Sequence, residues 1–246
     1  MSEPLLLVEH LVKSFDGVDA VRDVSFSVKA GEVVAMIGPN GAGKTTCFNL
    51  IHGQLRAEAG DVRFDGQSIV GLPTHALAHR GITRTFQIPA TFASMTVREA
   101  VALSITADAQ HDARMLGPRL ALRATAIEAD LARLRIDDIA EAHCGTLAYG
   151  DAKRLEIALA LIGAPKLLLM DEPTAGMTPA ARRALMESAL ALARQRRASV
   201  LFTEHDMDIV FGFAERVIVL DRGALIAEGT PQHIRDDPRV QAAYLG

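Results

Sequence analysis

The sequence predicts an α/β fold: a parallel sheet covered by helices, an antiparallel β portion near the N-terminus, and a helical insertion in the middle. Three observations lead there. Short apolar runs, "KLLLMDE", "SVLFTEHD" and "RVIVLDRG", are separated by helical stretches such as "AARRALMESALALARQ", the alternation that builds a parallel sheet covered on both faces. Near the N-terminus, "LLLVEHLVKSF" and "VRDVSFSVKAGEVVAMIG" are β-rich and broken by "DG" and "AGE", as hairpin strands are. From about Thr96 to Ala164 the pattern turns helical, with Leu120, Ala124, Ile127, Leu131 and Leu134 along one helix face. That stripe spans two heptads, short of the three or four that a coiled coil needs, and reads as packing.

The remaining elements follow in order. "GEVVAMIGPNGAGKTTCFNLIHG" runs strand, glycine loop, helix, and "GDVRFDGQSI" returns to short strands with turn residues. The whole, 1–246, reads as one domain whose helical part covers about 88–164. A chain of 246 residues is long enough to bury a full core.

Composition narrows the function classes. The net charge of −4 lacks the basic excess of a nucleic-acid surface, so no nucleic-acid partner is expected. Cys47 and Cys144 are far apart without metal spacing and read as thiols of a reducing compartment. The N-terminus has no basic region ahead of its short apolar stretch, which argues against a secretory signal. The apolar stretches near 155–170 are interrupted by Glu156, Pro165 and Lys166, too soon for a membrane span. The expectation is a cytoplasmic chain that reaches a membrane only through a partner.

The chemistry concentrates in two places. "GPNGAGKT", Gly38 to Thr45, matches G-x-x-x-x-G-K-[ST] between a strand and a helix, the context this phosphate-binding motif requires. In the stretch Gly38, Pro39, Asn40, Gly41, Ala42 and Gly43 the glycines let the backbone curl so that successive N–H groups point inward as an anion nest, and the helix N-terminus that follows, at Thr45 and Thr46, adds partial positive charge. Lys44 reaches the β- and γ-phosphates and Thr45 presents a hydroxyl to Mg²⁺. A bare glycine turn would explain neither. Further on, "KLLLMDE" ends a buried strand in two acids: Asp171 at the sheet's carboxyl edge, placed to hold Mg²⁺ through water, and Glu172, placed as general base for an attacking water.

"GPNGAGKTT", "TFQ", "LAYGDAKRLEIA", "LLLMDEP" and "TEHD" occur in that order and together resemble the ATP-binding subunit of an ABC transporter over nearly the whole chain. "RTFQIPATFASMTVREAV", "EHDMDIV" and the ending "EGTPQHIRDDPRVQAAYLG" look like the ATPases of branched-chain amino acid uptake; urea and amide importers share much of this pattern. The resemblance implies a P-loop NTPase with a RecA-like parallel core, binding ATP and Mg²⁺. It implies that Phe15 stacks on adenine, that Gln87 contacts Mg²⁺ or water, and that His205 contacts the γ-phosphate. It implies that Ala148, Tyr149, Gly150 and Asp151 form a signature loop acting in trans on the nucleotide of a second ATPase subunit. Ala148 stands where the family carries serine, which removes a hydroxyl and leaves the backbone amides. Asp151 either faces the opposing phosphate as a like charge or only caps its own helix. Thr178, in "TAGMT", replaces an acid that usually crosses the dimer seam.

The partners so implied are the second ATPase, identical or not, integral-membrane permease subunits, and indirectly a solute-binding protein. Ile88, Phe92 and Met95, after Gln87, are the candidate permease contact. The subunit would sit at the inner face of the cell membrane and power an importer for branched-chain amino acids or a related small polar solute. The rival reading is a soluble or regulatory ATPase not coupled to transport.

Overall fold

The computed structural model describes residues 3–85, 93–109, 127–129 and 131–245. A four-stranded antiparallel sheet is built from β1 (Leu6–Phe15), β2 (Val18–Val28), β4 (Ala59–Phe64) and β5 (Gln67–Ser68), in the order β2-β1-β4-β5. A six-stranded sheet runs β10-β9-β3-β8-β7-β6. In it β3 (Val33–Ile37), β6 (Ile82–Arg84), β7 (Leu167–Asp171), β8 (Ser199–Thr203) and β9 (Arg216–Asp221) are parallel, and β10 (Ala224–Gly229) is antiparallel to β9.

Alternate residues of the central strands enter two different cores. Val33, Ala35, Ile37, Leu168, Met170, Val200 and Phe202 face one; Val34, Met36, Leu167, Leu169 and Leu201 face the other. This is why these strands are apolar throughout rather than alternating. The second core is closed by the antiparallel sheet, through Leu6, Val8 and Phe64, and by α1 (Lys44–Ile51), through Cys47, Phe48 and Ile51. The first is closed by α3 (Val97–Ala109), α4 (Tyr149–Leu161), α5 (Pro179–Gln195) and α6 (Met207–Phe213). Leu131 and Leu134 of the expected stripe are buried there and Ile127 packs against it, while Leu120 and Ala124 lie outside the described residues.

Five elements exceed the sequence reading. α2 (Thr74–Arg80) and the three-residue β6 precede the helical segment, and β10, at the edge of the sheet, is followed by α7 (Pro231–Asp236) and α8 (Pro238–Leu245). The helical segment is itself broken between 135 and 148 by turns and two short 3-10 stretches, Asp137–Ile139 and Cys144–Thr146. Among the described residues no helix is long and apolar enough to cross a membrane.

Candidate nucleotide site

β3, β6, β7 and β8 end at one edge of the sheet, and the loops that leave them carry the candidate residues, the place where open α/β sheets form their crevices. After β3 the chain turns through Gly38–Gly43 into α1. Gly38 has φ 156° and a Cβ there would stand 2.2 Å from the Leu220 carbonyl oxygen; Gly43, at φ 100°, would place one 2.3 Å from that of Ala20. No side chain fits at either point, so the curl of the loop requires glycine. Lys44 is buried, and its Nζ donates to the carbonyl oxygens of Gly38 at 2.7 Å and Pro39 at 3.0 Å, which folds the ammonium back over the loop. Burial pulls its pKa below the ordinary lysine range, and the carboxylates of Glu172 and Asp171 push the other way. A cleft of about 300 Å³ opens here, lined by Ala20, Asn40–Thr46 and Glu172.

Asp171, the last residue of β7, has both carboxylate oxygens engaged. Oδ1 accepts from the Thr203 hydroxyl at 2.6 Å, and Oδ2 from Arg84 at 2.7 Å. Glu172 follows in a left-handed backbone, φ 47°, rare for a residue with a Cβ. Its N–H donates to Thr203 through both the hydroxyl, 3.0 Å, and the backbone carbonyl, 3.2 Å. These bonds over-determine the turn, as strained functional positions require. The turn aims the Glu172 carboxylate at His205, whose Nε2 lies 2.8 Å from Oε1, within hydrogen-bond distance. Both side chains are partly open to solvent.

Three residues that sequence reasoning passed over complete the frame. Arg84 sits at the end of β6, and Thr203 at the end of β8 holds both acids. Glu204, 3% exposed, accepts from the Thr174 amide at 2.9 Å, the Thr174 hydroxyl at 2.6 Å and the His205 amide at 3.2 Å. It thus ties the "TAGMT" loop to the turn that carries His205. All three stand inside quoted motifs, "RTFQ" and "TEHD", where the signal was their adjacency to Gln87 and His205.

The donor set suits a Mg²⁺–nucleotide pair. Thr45 and Asp171 offer hard oxygens of the kind Mg²⁺ takes, and the loop offers an amide nest with a buried ammonium beside it. The other expected residues are placed as follows. Phe15, 43% exposed, is packed under Lys13, whose Nζ is 5.1 Å from the ring centre; it pairs with Val18 across the hairpin whose Ala20 lines the cleft. Gln87, Ile88 and Phe92 lie outside the described residues, and Met95 is half-buried. Ala148 precedes α4 and Tyr149 is 54% exposed. Gly150 and Asp151 line a separate groove with Met177 and Ala181, so the signature is not brought to the phosphate loop of its own chain. Asp151 accepts from Arg154 at 3.0 Å, and Arg154 also pairs with Asp138 at 2.8 Å. Thr178 stands at the start of α5, next to Met177, whose carbonyl is held by Arg182.

Comparison with known proteins gives the same picture over the whole chain. Residues 21–175 match the family described as ABC transporter, and residues 224–246 match that described as branched-chain amino acid ATP-binding cassette transporter. The chain is 40% identical to the high-affinity branched-chain amino acid transport ATP-binding protein BraF of Pseudomonas aeruginosa, covering all of this chain and 99% of that one. It is 38% identical to LivG of Escherichia coli, covering 100% and 99%. The lipopolysaccharide export system ATP-binding protein LptB of Haemophilus influenzae is 35% identical, over 98% and 97%. Among solved structures, the ADP conformation of MJ1267, an ATP-binding cassette of an ABC transporter, superposes with a TM-score of 0.87 at 32% identity over all of both chains. A nucleotide-free ATP-binding cassette gives 0.85, also at 32% identity, over 99% and 100%. With a phosphate loop, a paired acid edge and full-length relatives of one kind, the chain belongs to the ABC transporter family, as one of its ATP-binding, ATP-hydrolysing cassettes.

Proposed function

We propose that the chain powers an importer for branched-chain amino acids by hydrolysing ATP at the cleft beside Gly38–Thr46. The observation that carries the chemistry is the convergence of Lys44, Asp171 and the Glu172–His205 pair at one sheet edge. Lys44 moves from the Gly38 and Pro39 carbonyls to the β- and γ-phosphates of the nucleotide. Thr45, Asp171 and Gln87 would hold Mg²⁺, which would supply positive charge against the phosphate oxygens. Glu172 takes the proton of the attacking water, and His205, bonded to it at 2.8 Å, fixes its carboxylate and faces the γ-phosphate. Phe15 supplies a face for adenine.

The site is completed in trans. The exposed signature, Ala148–Asp151, lies apart from the chain's own cleft, which fits a head-to-tail pair in which each signature caps the other's nucleotide. The chain acts as one ABC ATPase domain over 1–246, with 88–164 as its helical part; the shared core of α3, α4 and the sheet supports this. The closing motion passes to permease subunits in the membrane, which receive solute from a binding protein, so the subunit works at the cytoplasmic face. The solute is read from the relatives' names and the 224–246 match.

The test is reconstitution. The chain co-expressed with the permease subunits of its own operon is purified as a complex and placed in liposomes with the binding protein. ATP-driven uptake of labelled leucine supports the reading, and ATP turnover with uptake of another solute class overturns the assignment.

A further inference from the structure

Arg84 joins three elements at the acid edge. One terminal nitrogen donates to Asn49 Oδ1 of α1 at 2.6 Å and to Gln54 Oε1, just beyond that helix, at 2.7 Å. The other donates to Asp171 Oδ2 at 2.7 Å. The guanidinium lies 5.8 Å from the centre of the Phe48 ring and its side chain is only 9% exposed. Asp171 is therefore gripped from both sides, by Arg84 on Oδ2 and by Thr203 on Oδ1, and Thr203 in turn holds the Glu172 amide. A carboxylate so held cannot rotate, yet each oxygen keeps a lone pair for a further donor. Partners that orient a metal-ligating carboxylate in this way are worth about 10- to 100-fold in metal affinity or activity.

We propose that Arg84 is the positioning residue of the metal-side carboxylate, fixing Asp171 against the phosphate-loop helix so that Mg²⁺ bound with the nucleotide meets a preset ligand. Only a fork of donors reaches Asn49, Gln54 and Asp171 at once; an ammonium at that position would be a point charge. The same anchor fixes the end of β6 just before Gln87 in sequence, so one side chain registers the metal ligand against the chain leading to the next motif. An opposite role, a cation that competes with Mg²⁺ for Asp171, would also follow from the pair, and the two differ in sign. This inference rests on the reading of Asp171 as the metal-side residue.

The test compares the affinity of the full-length protein for a fluorescent ATP analogue in Mg²⁺ and in EDTA, for the parent, Arg84→Gln, Arg84→Lys, Gln54→Ala and Asp171→Asn. Positioning predicts that Arg84→Gln binds the analogue in EDTA within about twofold of the parent but loses the Mg²⁺-dependent gain down to the level of Asp171→Asn, a drop of about tenfold or more. Arg84→Lys falls between the two. Gln54→Ala, exposed and harmless to the fold, loses part of the gain with an unchanged melting temperature. The inference is overturned if Arg84→Gln keeps the parent's gain or increases it, or if it weakens binding equally in EDTA. If Asp171→Asn itself retains the parent's gain, the reading of Asp171 has failed instead.

Discussion

Thr203 and Glu204 show how much of the candidate site's geometry rests on side chains that hold its loops in place. Glu204 accepts from both the buried Thr174 amide and the Thr174 hydroxyl. Glu204→Ala leaves both donors without it, at about 1–3 kcal/mol each, and a chain of this size then melts several degrees lower, at about 2–4 °C per kcal/mol. Glu204→Gln keeps one acceptor and recovers most of the loss, which thermal unfolding of the two variants checks. Asp151 shows a second kind of dependence. Its charge is already met by Arg154, itself paired with Asp138, so in the proposed dimer seam it would be largely compensated. Asp151→Gln removes an i,i+3 pair worth at most about 0.5 kcal/mol. Dimer affinity in saturating MgATP should change by less than about threefold at low and high salt; a tenfold gain that shrinks with salt would restore like-charge repulsion.

His52, at the end of α1, gives a pH signature. Burial, and then the nearby Arg84 guanidinium, hold its imidazole down at about 4, against about 6.5 in the unfolded chain. Between these values the unfolded chain binds a proton that the folded one refuses. His52 therefore costs nothing above about pH 6.5, and stability falls as pH drops from there to about 4, by on the order of 2–3 kcal/mol. Denaturant titrations across that window should show a shallower fall for His52→Gln than for the parent.

At the scale of elements, the phosphate loop owes its shape to neighbours that crowd it. Gly43→Ala would drive a Cβ to 2.3 Å from the Ala20 carbonyl oxygen, in a backbone that side chains avoid, whereas Gly41 has nothing within 4 Å. Gly43→Ala should lose nucleotide binding in a direct titration. Gly41→Ala pays only for its left-handed backbone, about 1–2 kcal/mol, and should still bind. The loop, the central strands and the acid edge were legible because each has a short-range signal: glycine spacing, an unbroken apolar run, an acid at its end. β6 and α2 were not. β6 is three residues long and draws its stability from pairing with β7, a contact made far along the chain that no local pattern announces. Arg84, Thr203 and Glu204 stayed hidden for the same reason. Their partners are 87, 32 and 30 positions away, and only the sheet brings them together. β10 escaped notice because Ala224–Gly229 is mostly half-buried on an edge, with none of the apolar continuity of β7 or β8.

For the whole molecule, the proposed function puts ATP hydrolysis in this chain and the solute pathway in permease subunits across a protein contact. Under the proposed function the chain should sediment with membranes when permease subunits are co-expressed and not without them; tight binding to protein-free liposomes would contradict that reading. In the proposed head-to-tail pair, the cleft beside the phosphate loop and the groove at Gly150 and Asp151 are half-sites completed by a second copy or a paralogue, and nucleotide should drive their closure. In the proposed mechanism Glu172, set in its strained turn and bonded to His205, is the base whose action returns a closed pair to an open one. The most direct measurement is Glu172→Gln, followed by sizing chromatography in MgATP and by ATP turnover in the same samples. With Glu172 as the base, the variant binds MgATP, shifts from monomer to dimer, and hydrolyses ATP about 10²–10⁴-fold more slowly than the parent. A variant that turns over ATP at the parent rate would contradict that role.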